Sequence, residues 1–161
     1  MKIEFSKIKN LEKIEFLGDL KYFNNQKNIS TIKEYKEVKA NISLERADNI
    51  AIIKYDIDAK LRVYSTLSGE EFDYPLHVVE TLYYTENKEL ESEDVFFIEE
   101  GYINLEDEIY SLIITSIPLI LHKKGEKYPK GDNYRVISED ELNEDDGSGF
   151  SPFDKLKDLD L

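Results

Sequence analysis

The stretch from Ile53 to Val63 constrains this chain more than any other. Ile53, Tyr55, Ile57, Ala59, Leu61 and Val63 alternate without error with Lys54, Asp56, Asp58, Lys60 and Arg62. Side chains of a β-strand point to opposite faces with a period of two, so one face of this segment belongs in a core and the other in water. Sheets with one wet face are characteristically antiparallel. Two further runs carry a matching pattern. Within Glu37 to Leu44, the residues Val38, Ala40, Ile42 and Leu44 alternate with Lys39, Asn41 and Ser43, and Phe72, Tyr74, Leu76 and Val78 continue weakly to Leu82 and Tyr84. The short link Ser65-Thr66-Leu67-Ser68-Gly69 joins the second and third strands as an antiparallel hairpin. Pro75 has no backbone donor, which implies an edge or a bulge at that point.

The remaining elements are shorter. Met1 to Phe5 reads as a strand, and Ser6 as the N-cap of a Lys-rich helix in which Ile8, Leu11 and Ile14 recur every third residue until Gly18. Tyr22 to Thr31, with Asn24, Asn25, Gln26 and Asn28, reads as a loop. After an acidic loop at Glu89 to Asp94 come the apolar run Val95 to Ile98 and a short strand at Tyr102-Ile103. Asn104 is a candidate N-cap before Glu106, Asp107 and Glu108, whose charge suits the start of a helix. Leu105, Ile109, Leu112, Ile113, Ser116 and Ile117 then make one face up to Pro118. The β-branched Ile113, Ile114, Thr115 and Ile117 keep a strand open as the alternative there.

The expected fold class is α+β: an antiparallel, curled or barrel-like sheet of about five or six strands, a helix near 105–117 and an N-terminal helix. A mostly disordered acidic linker follows. The expected boundaries are a single domain over 1–121, including a Lys-rich arm and helix over 1–31, then the linker over 122–149 and a docking segment over 150–161.

Charge narrows the function classes. The chain has 161 residues and a formal net charge of −14. Residues 1–40 carry nine Lys against six acids, while residues 41–161 carry 12 basic and 29 acidic residues. A field of that sign repels phosphate backbones, so RNA contact falls to Lys7, Lys9, Lys13, Lys21 and Lys27, and basic proteins are the easier partners. The same acidity also serves simply as a solvated surface. The first residues, MKIEFSKIKN, lack the apolar core of a signal peptide, and no apolar run approaches the roughly 20 residues of a transmembrane helix. A soluble, cytoplasmic protein is expected, in which the sequons at Asn28 and Asn41 have no meaning.

Catalytic signals are absent from the sequence. With no Cys there is no disulfide, thiolate chemistry or Cys-ligated zinc. His77 occupies a polar-facing strand position and His122 begins the linker, both reading as surface residues. Zinc would need carboxylates at spacings that sequence does not reveal. The carboxylates are massed in loops, as solubility would place them, rather than paired as acid and base. A would-be EF-hand loop fails because Leu142 and Phe153 occupy ligand positions. No glycine-rich nucleotide loop or nucleophile-elbow motif occurs. The 11 Tyr and eight Phe lie largely in phase with strand cores and read as packing rather than as stacking platforms. No enzyme, metal or cofactor is expected. A hydrolase built on Glu91, Glu93 and Asp94 is a distant alternative.

Three features in fixed order resemble the YceD family, the large ribosomal RNA subunit accumulation proteins. The first is IKYDIDAKLRVYSTLSGEEFDYPLHVVETLYY, in which Val63, Ser65, Thr66 and Leu67 stand at the positions of the family's C-x-R-C-L or C-S-R-T-L turn. Thr66 and Leu67 agree with the second form, and the first Cys and the Arg are absent. The second is INLEDEIYSLIITSIPLILHKKGE, similar to an acidic-capped helix ending in Leu-Pro or Ile-Pro before a polar segment with His or Cys. The third is SPFDKLKDL, similar to a closing D-P-R signature followed by L-x-x-L, with Pro152 matching directly.

The resemblance implies a non-enzymatic factor for accumulation or processing of large-subunit ribosomal RNA or for ribosome assembly. It acts by binding, with a basic ribosomal protein or a pre-ribosomal particle as partner. The closing segment has its own physical logic. Pro152 presets a first helical turn, and Phe153, Leu156 and Leu159 follow three apart on one face. So short a helix needs a surface to dock on, either on its own chain or on a partner's. The expected partner-binding residues are Phe153, Leu156, Leu159, Lys7, Lys9 and Lys13. The alternative is a general interaction or chaperone-like module unrelated to the ribosome.

Overall fold

The computed structural model describes residues 1–26, 29–127 and 131–133. Met1–Lys123 forms one compact unit. Its elements are β1 (Lys2–Glu4), β2 (Glu12–Leu17), α1 (Leu20–Asn25), β3 (Ile32–Ala47), β4 (Ile50–Tyr64), β5 (Glu71–Thr85), β6 (Val95–Phe97), β7 (Tyr102–Asn104) and α2 (Leu105–Ser116). The second unit, Lys124–Leu161, is described only around a turn at Lys124-Gly125 and at 131–133.

The alternating run forms β4, the middle strand of a five-stranded sheet ordered β2-β3-β4-β5-β6. It pairs antiparallel with β3 on one side and with β5 on the other, along almost its whole length. Ile53, Tyr55, Ile57, Leu61 and Val63 are fully buried on the inner face, and Ala59 nearly so. Opposite them, Lys54, Asp56, Asp58, Lys60 and Arg62 join Lys39, Asn41 and Ser43 of β3 on the outer face. Phe23 of α1 and Leu105, Ile109 and Ile113 of α2 complete the core with Phe5, Ile8 and Ile103.

Two bulges in β3 lie between Ile32 and Glu34 and between Tyr35 and Glu37. Each bulge leaves an extra residue unpaired in the ladder. Here they are Lys33 and Lys36, which bond Glu71 at 2.5 Å and Asp73 at 3.0 Å on the outer face. Arg62 bridges the same two carboxylates at 3.4 and 3.1 Å.

The fold is mostly β rather than the expected α+β, and the N-terminal helix is absent. Phe5–Lys7 is a single 3-10 turn, and Glu12–Leu17 is β2, paired along β3. Ile14 and Phe16 face inward two residues apart, which is strand periodicity, whereas Leu11 stays 61% exposed. Helix propensity is a weak preference that a full ladder of backbone bonds overrides. The segment expected as a loop holds α1 instead, with Asp19 accepting from Lys21 N at 3.0 Å as its N-cap.

The sheet is also neither curled nor closed into a barrel. Its edges, β2 and β6, lie at opposite ends of the strand order, and β6 is only three residues long. A separate two-stranded ribbon pairs β1 with β7. The helix expected near 105–117 is present as Leu105–Ser116, although Asn104 accepts no bond from its first turn and donates to Asp107 Oδ2 at 2.6 Å.

Gly18 leads out of β2 with its N–H donated to Val38 O at 2.8 Å. A Cβ there would stand 2.7 Å from Phe23 Cε2 and 2.9 Å from Val38 Cβ. Phe23 is fully buried and Val38 is fixed in the ladder, so neither can yield cheaply. Gly18→Ala is expected to destabilise the chain by about 1–3 kcal/mol, the usual cost of overpacking. Chemical denaturation measures it, and an unchanged midpoint would contradict this packing.

Candidate functional site

The most developed concavity is a cleft of about 900 Å³ between α2 and the β5–β6 edge of the sheet. Leu82 and Tyr84 come from β5, Phe96 from β6, Tyr102 from β7, and Glu108 and Leu112 from α2. Their convergence follows from the chain path. β6 runs parallel to β5 and pairs only with Tyr83, Tyr84 and Thr85, so a short connection returns the chain beside the end of β5. Gly101, at φ +72°, turns it into β7 and α2.

At the cleft floor three side chains form a relay. Tyr55, fully buried on β4, places its hydroxyl 3.3 Å from that of Tyr84, and Tyr84 donates to Glu108 Oε2 at 3.0 Å. Burial pushes the Glu108 carboxyl above its ordinary range, the negative charge of Asp107 adds to this, and the Tyr84 bond works against it. Burial likewise pushes both phenols well up, so each stays protonated and acts as a donor at neutral pH. Among the described residues, no cation pairs with Glu108. At the mouth, Lys2 Nζ lies 4.0 Å from the centroid of the Tyr102 ring, a cation–π contact.

Four acids, Glu99, Glu100, Asp107 and Glu108, line this cleft together with Lys2. Residues 86–108 carry ten acidic residues and one Lys, whereas the rest of Met1–Lys123 carries 14 acidic and 14 basic residues. The outer face of the sheet is therefore a balanced mosaic, with Lys39 and Lys60 both bonded to or near Glu37 at 3.1 and 3.4 Å.

His77 does acquire partners on that outer face. Its Nδ1 stands 2.9 Å from Asp58 Oδ1 and 3.8 Å from Asp56 Oδ1, and the three side chains could in principle ligate a metal. Asp58 and His77 face each other across the β4–β5 ladder, a pairing that the hairpin register would have revealed. Lys54 and Lys60 flank the two Asp on the same face, Lys39 lies in register with Asp58, and Lys39 and Lys60 are both bonded to Glu37.

The other expected positions separate by role. Val63 is core, and Ser65 is buried with its Oγ accepting from Leu67 N at 3.1 Å and Ser68 N at 3.2 Å, so it shapes the hairpin turn. Leu67 is partly exposed. Thr66 Oγ1 donates to Leu121 O and accepts from Leu121 N, each at 3.0 Å, and Thr66 N donates to the same carbonyl at 2.7 Å. Lys7, Lys9 and Lys13 are exposed but share no helix face: Lys7 lies in the 3-10 turn, 3.1 Å from Glu4, Lys9 in a loop and Lys13 on β2. Phe153, Leu156, Leu159 and Lys27 lie outside the described residues.

Sequence reasoning placed Glu108 among the dipole-facing acids of α2 and missed its role. The signal was its position, three residues after Leu105 and four before Leu112, which sets a carboxyl on the edge of the apolar face. Comparison with family models, curated proteins and solved structures finds no match to this chain. Among the described residues, no helix is long and apolar enough to cross a membrane.

The Glu108 environment predicts a pH dependence with a definite sign. Its raised carboxyl pKa means that the folded state binds the proton more tightly than the unfolded state. Its contribution to stability is therefore fully present below the ordinary carboxyl range and lost as pH rises through the folded value. Glu108→Gln is expected to flatten that part of the profile and gain stability relative to wild type above it. Tyr84→Phe, which removes the carboxylate's donor, is expected to cost about 1–3 kcal/mol at neutral pH. Denaturation between acid and neutral pH checks both, and parallel profiles for Glu108→Gln and wild type would refute the first.

Proposed function

We propose that this chain is a non-enzymatic cytoplasmic factor that supports accumulation of large-subunit ribosomal RNA by binding a basic ribosomal protein or a pre-ribosomal particle. The reading starts from the resemblance to the YceD family. The observation that carries it further is the clasp between Thr66 and Leu121. Thr66 belongs to the turn of the first motif, and Leu121 follows the helix of the second, 55 residues later. The first two of the three segments that carry the resemblance are thus bonded to each other, with Ser65 buried in the turn and Leu121 only 3% exposed.

Charge supports the class of partner. The acid excess over residues 86–108 suits a basic protein. Lys9 and Lys13 remain exposed positions for RNA contact, while Lys7 is engaged by Glu4. Phe153, Leu156 and Leu159 supply a separate apolar docking motif in this reading.

The ratio of large- to small-subunit ribosomal RNA in cells lacking the protein is expected to fall, and to recover when the full chain is restored. An unchanged ratio would sink the ribosomal reading. The triple change Phe153→Ala, Leu156→Ala and Leu159→Ala is expected to restore the ratio only in part. Thr66→Val, which strips Leu121 N of its acceptor, is expected to cost about 1 kcal/mol, whereas Thr66→Ser keeps the stability of the native chain. Denaturation of the two variants separates hydroxyl bonding from side-chain shape.

A further inference from the structure

We propose that the cleft between α2 and the β5–β6 edge receives an extended basic segment of a partner protein, with an arginine or lysine side chain seated on Glu108 between Tyr84, Phe96 and Tyr102. This rests on the reading of the chain as a factor that binds a basic partner, and it names the surface that does so.

Charge complementarity selects the occupant. The charged lining of the cleft is Glu99, Glu100, Asp107 and Glu108 against Lys2, and the four acids belong to the strongly unbalanced stretch 86–108, with ten acidic residues and one Lys. A second copy of this chain would bring the same negative field, and a nucleic acid would be repelled by it. Within the cleft, Glu108 is a half-buried carboxyl whose recorded partner is a phenol, so a cation would supply the charge it lacks. Guanidinium groups stack on aromatic faces while bonding a carboxylate, and the walls offer both. The mouth already uses this chemistry, since Lys2 sits 4.0 Å from the centroid of the Tyr102 ring.

The sheet edge selects the conformation. Because β6 pairs only with Tyr83 to Thr85, the edge of β5 before them has no strand beside it among the described residues. Pro75, Asp73 and His77 guard its first half in the way edge strands are usually protected. From Val78 to Leu82 the only charge is Glu80, and Val79 is 47% exposed. An extended peptide adds to such an edge through its backbone and places alternate side chains to either side. The volume, about 900 Å³, is large enough to take a side chain.

The test titrates the isotope-labelled full chain with a blocked peptide of alternating arginine and valine, against the same peptide with glutamine for arginine. Amide shifts are expected to concentrate at Tyr84, Phe96 and Ser111, with no binding of the glutamine peptide. Glu108→Gln is expected to raise Kd about tenfold or more, as loss of a charge-assisted bond does, while Asp56→Asn on the outer face leaves it unchanged. Circular dichroism of Glu108→Gln verifies that the variant is folded. Equal Kd for Glu108→Gln and wild type, shifts spread along 86–100 without the cleft, or self-association of the chain in place of peptide binding would each overturn the proposal. The ribosomal reading is judged apart from it. If the peptide binds as expected while cells lacking the protein keep a normal RNA ratio, the cleft stands and that reading falls. If the ratio falls but the peptide never enters the cleft, the reverse holds.

Discussion

The pairing of β4 with both of its neighbours is the interaction on which the rest depends. A slip of one residue would turn Lys54, Asp56, Asp58, Lys60 and Arg62 into the core and Tyr55, Ile57 and Leu61 into water, so the register has no near competitor. Both features assigned to function hang from this strand. Tyr55, midway along it, begins the relay that ends at Glu108. Val63, at its end, feeds the turn that presents Thr66 to Leu121. The two helices and the β1–β7 ribbon cover an inner face that this register has already defined.

The inner strands were legible because their signal is purely local. Alternation in β4, in the middle of β3 and in β5 needs no knowledge of partners, and α2 was marked by its acidic first turn and by Pro118. The errors lie where two periods compete. Ile8, Leu11 and Ile14 mimic a helix face, yet Ile8 is buried beside a 3-10 turn, Leu11 is solvent-exposed and Ile14 belongs with Phe16 in a strand. Only the vacant edge of β3 decides for the strand, and that is tertiary information. The same holds for the expected barrel. Closure requires edge strands that meet, and β6 is too short and too far from β2 in strand order.

The site was less legible than the fold, for a related reason. A residue's chemistry depends on what faces it across space, and the bonding partners Tyr84 of Glu108 and Asp58 of His77 are distant in sequence. His77 needed the hairpin register to bring Asp58 opposite. Glu108 needed the return of β6 to the end of β5 before a cleft existed at all. Total acidity was visible from composition. Within Met1–Lys123, the excess falls on 86–108, with ten acidic residues against one Lys, while the rest of that unit carries 14 of each sign.

That confinement has a kinetic side. A molecule whose excess charge was spread evenly would meet an oppositely charged body in any orientation, and most encounters would have to be undone. Here the compact unit is an electric dipole with a neutral remainder, so a torque acts on it during approach, within about the 8–10 Å over which physiological salt leaves fields unscreened. Collisions are thereby biased toward the acidic band before any atom touches. For the proposed basic partner, this arrangement of charges governs the rate of association, and the grip of the cleft governs the lifetime of the complex.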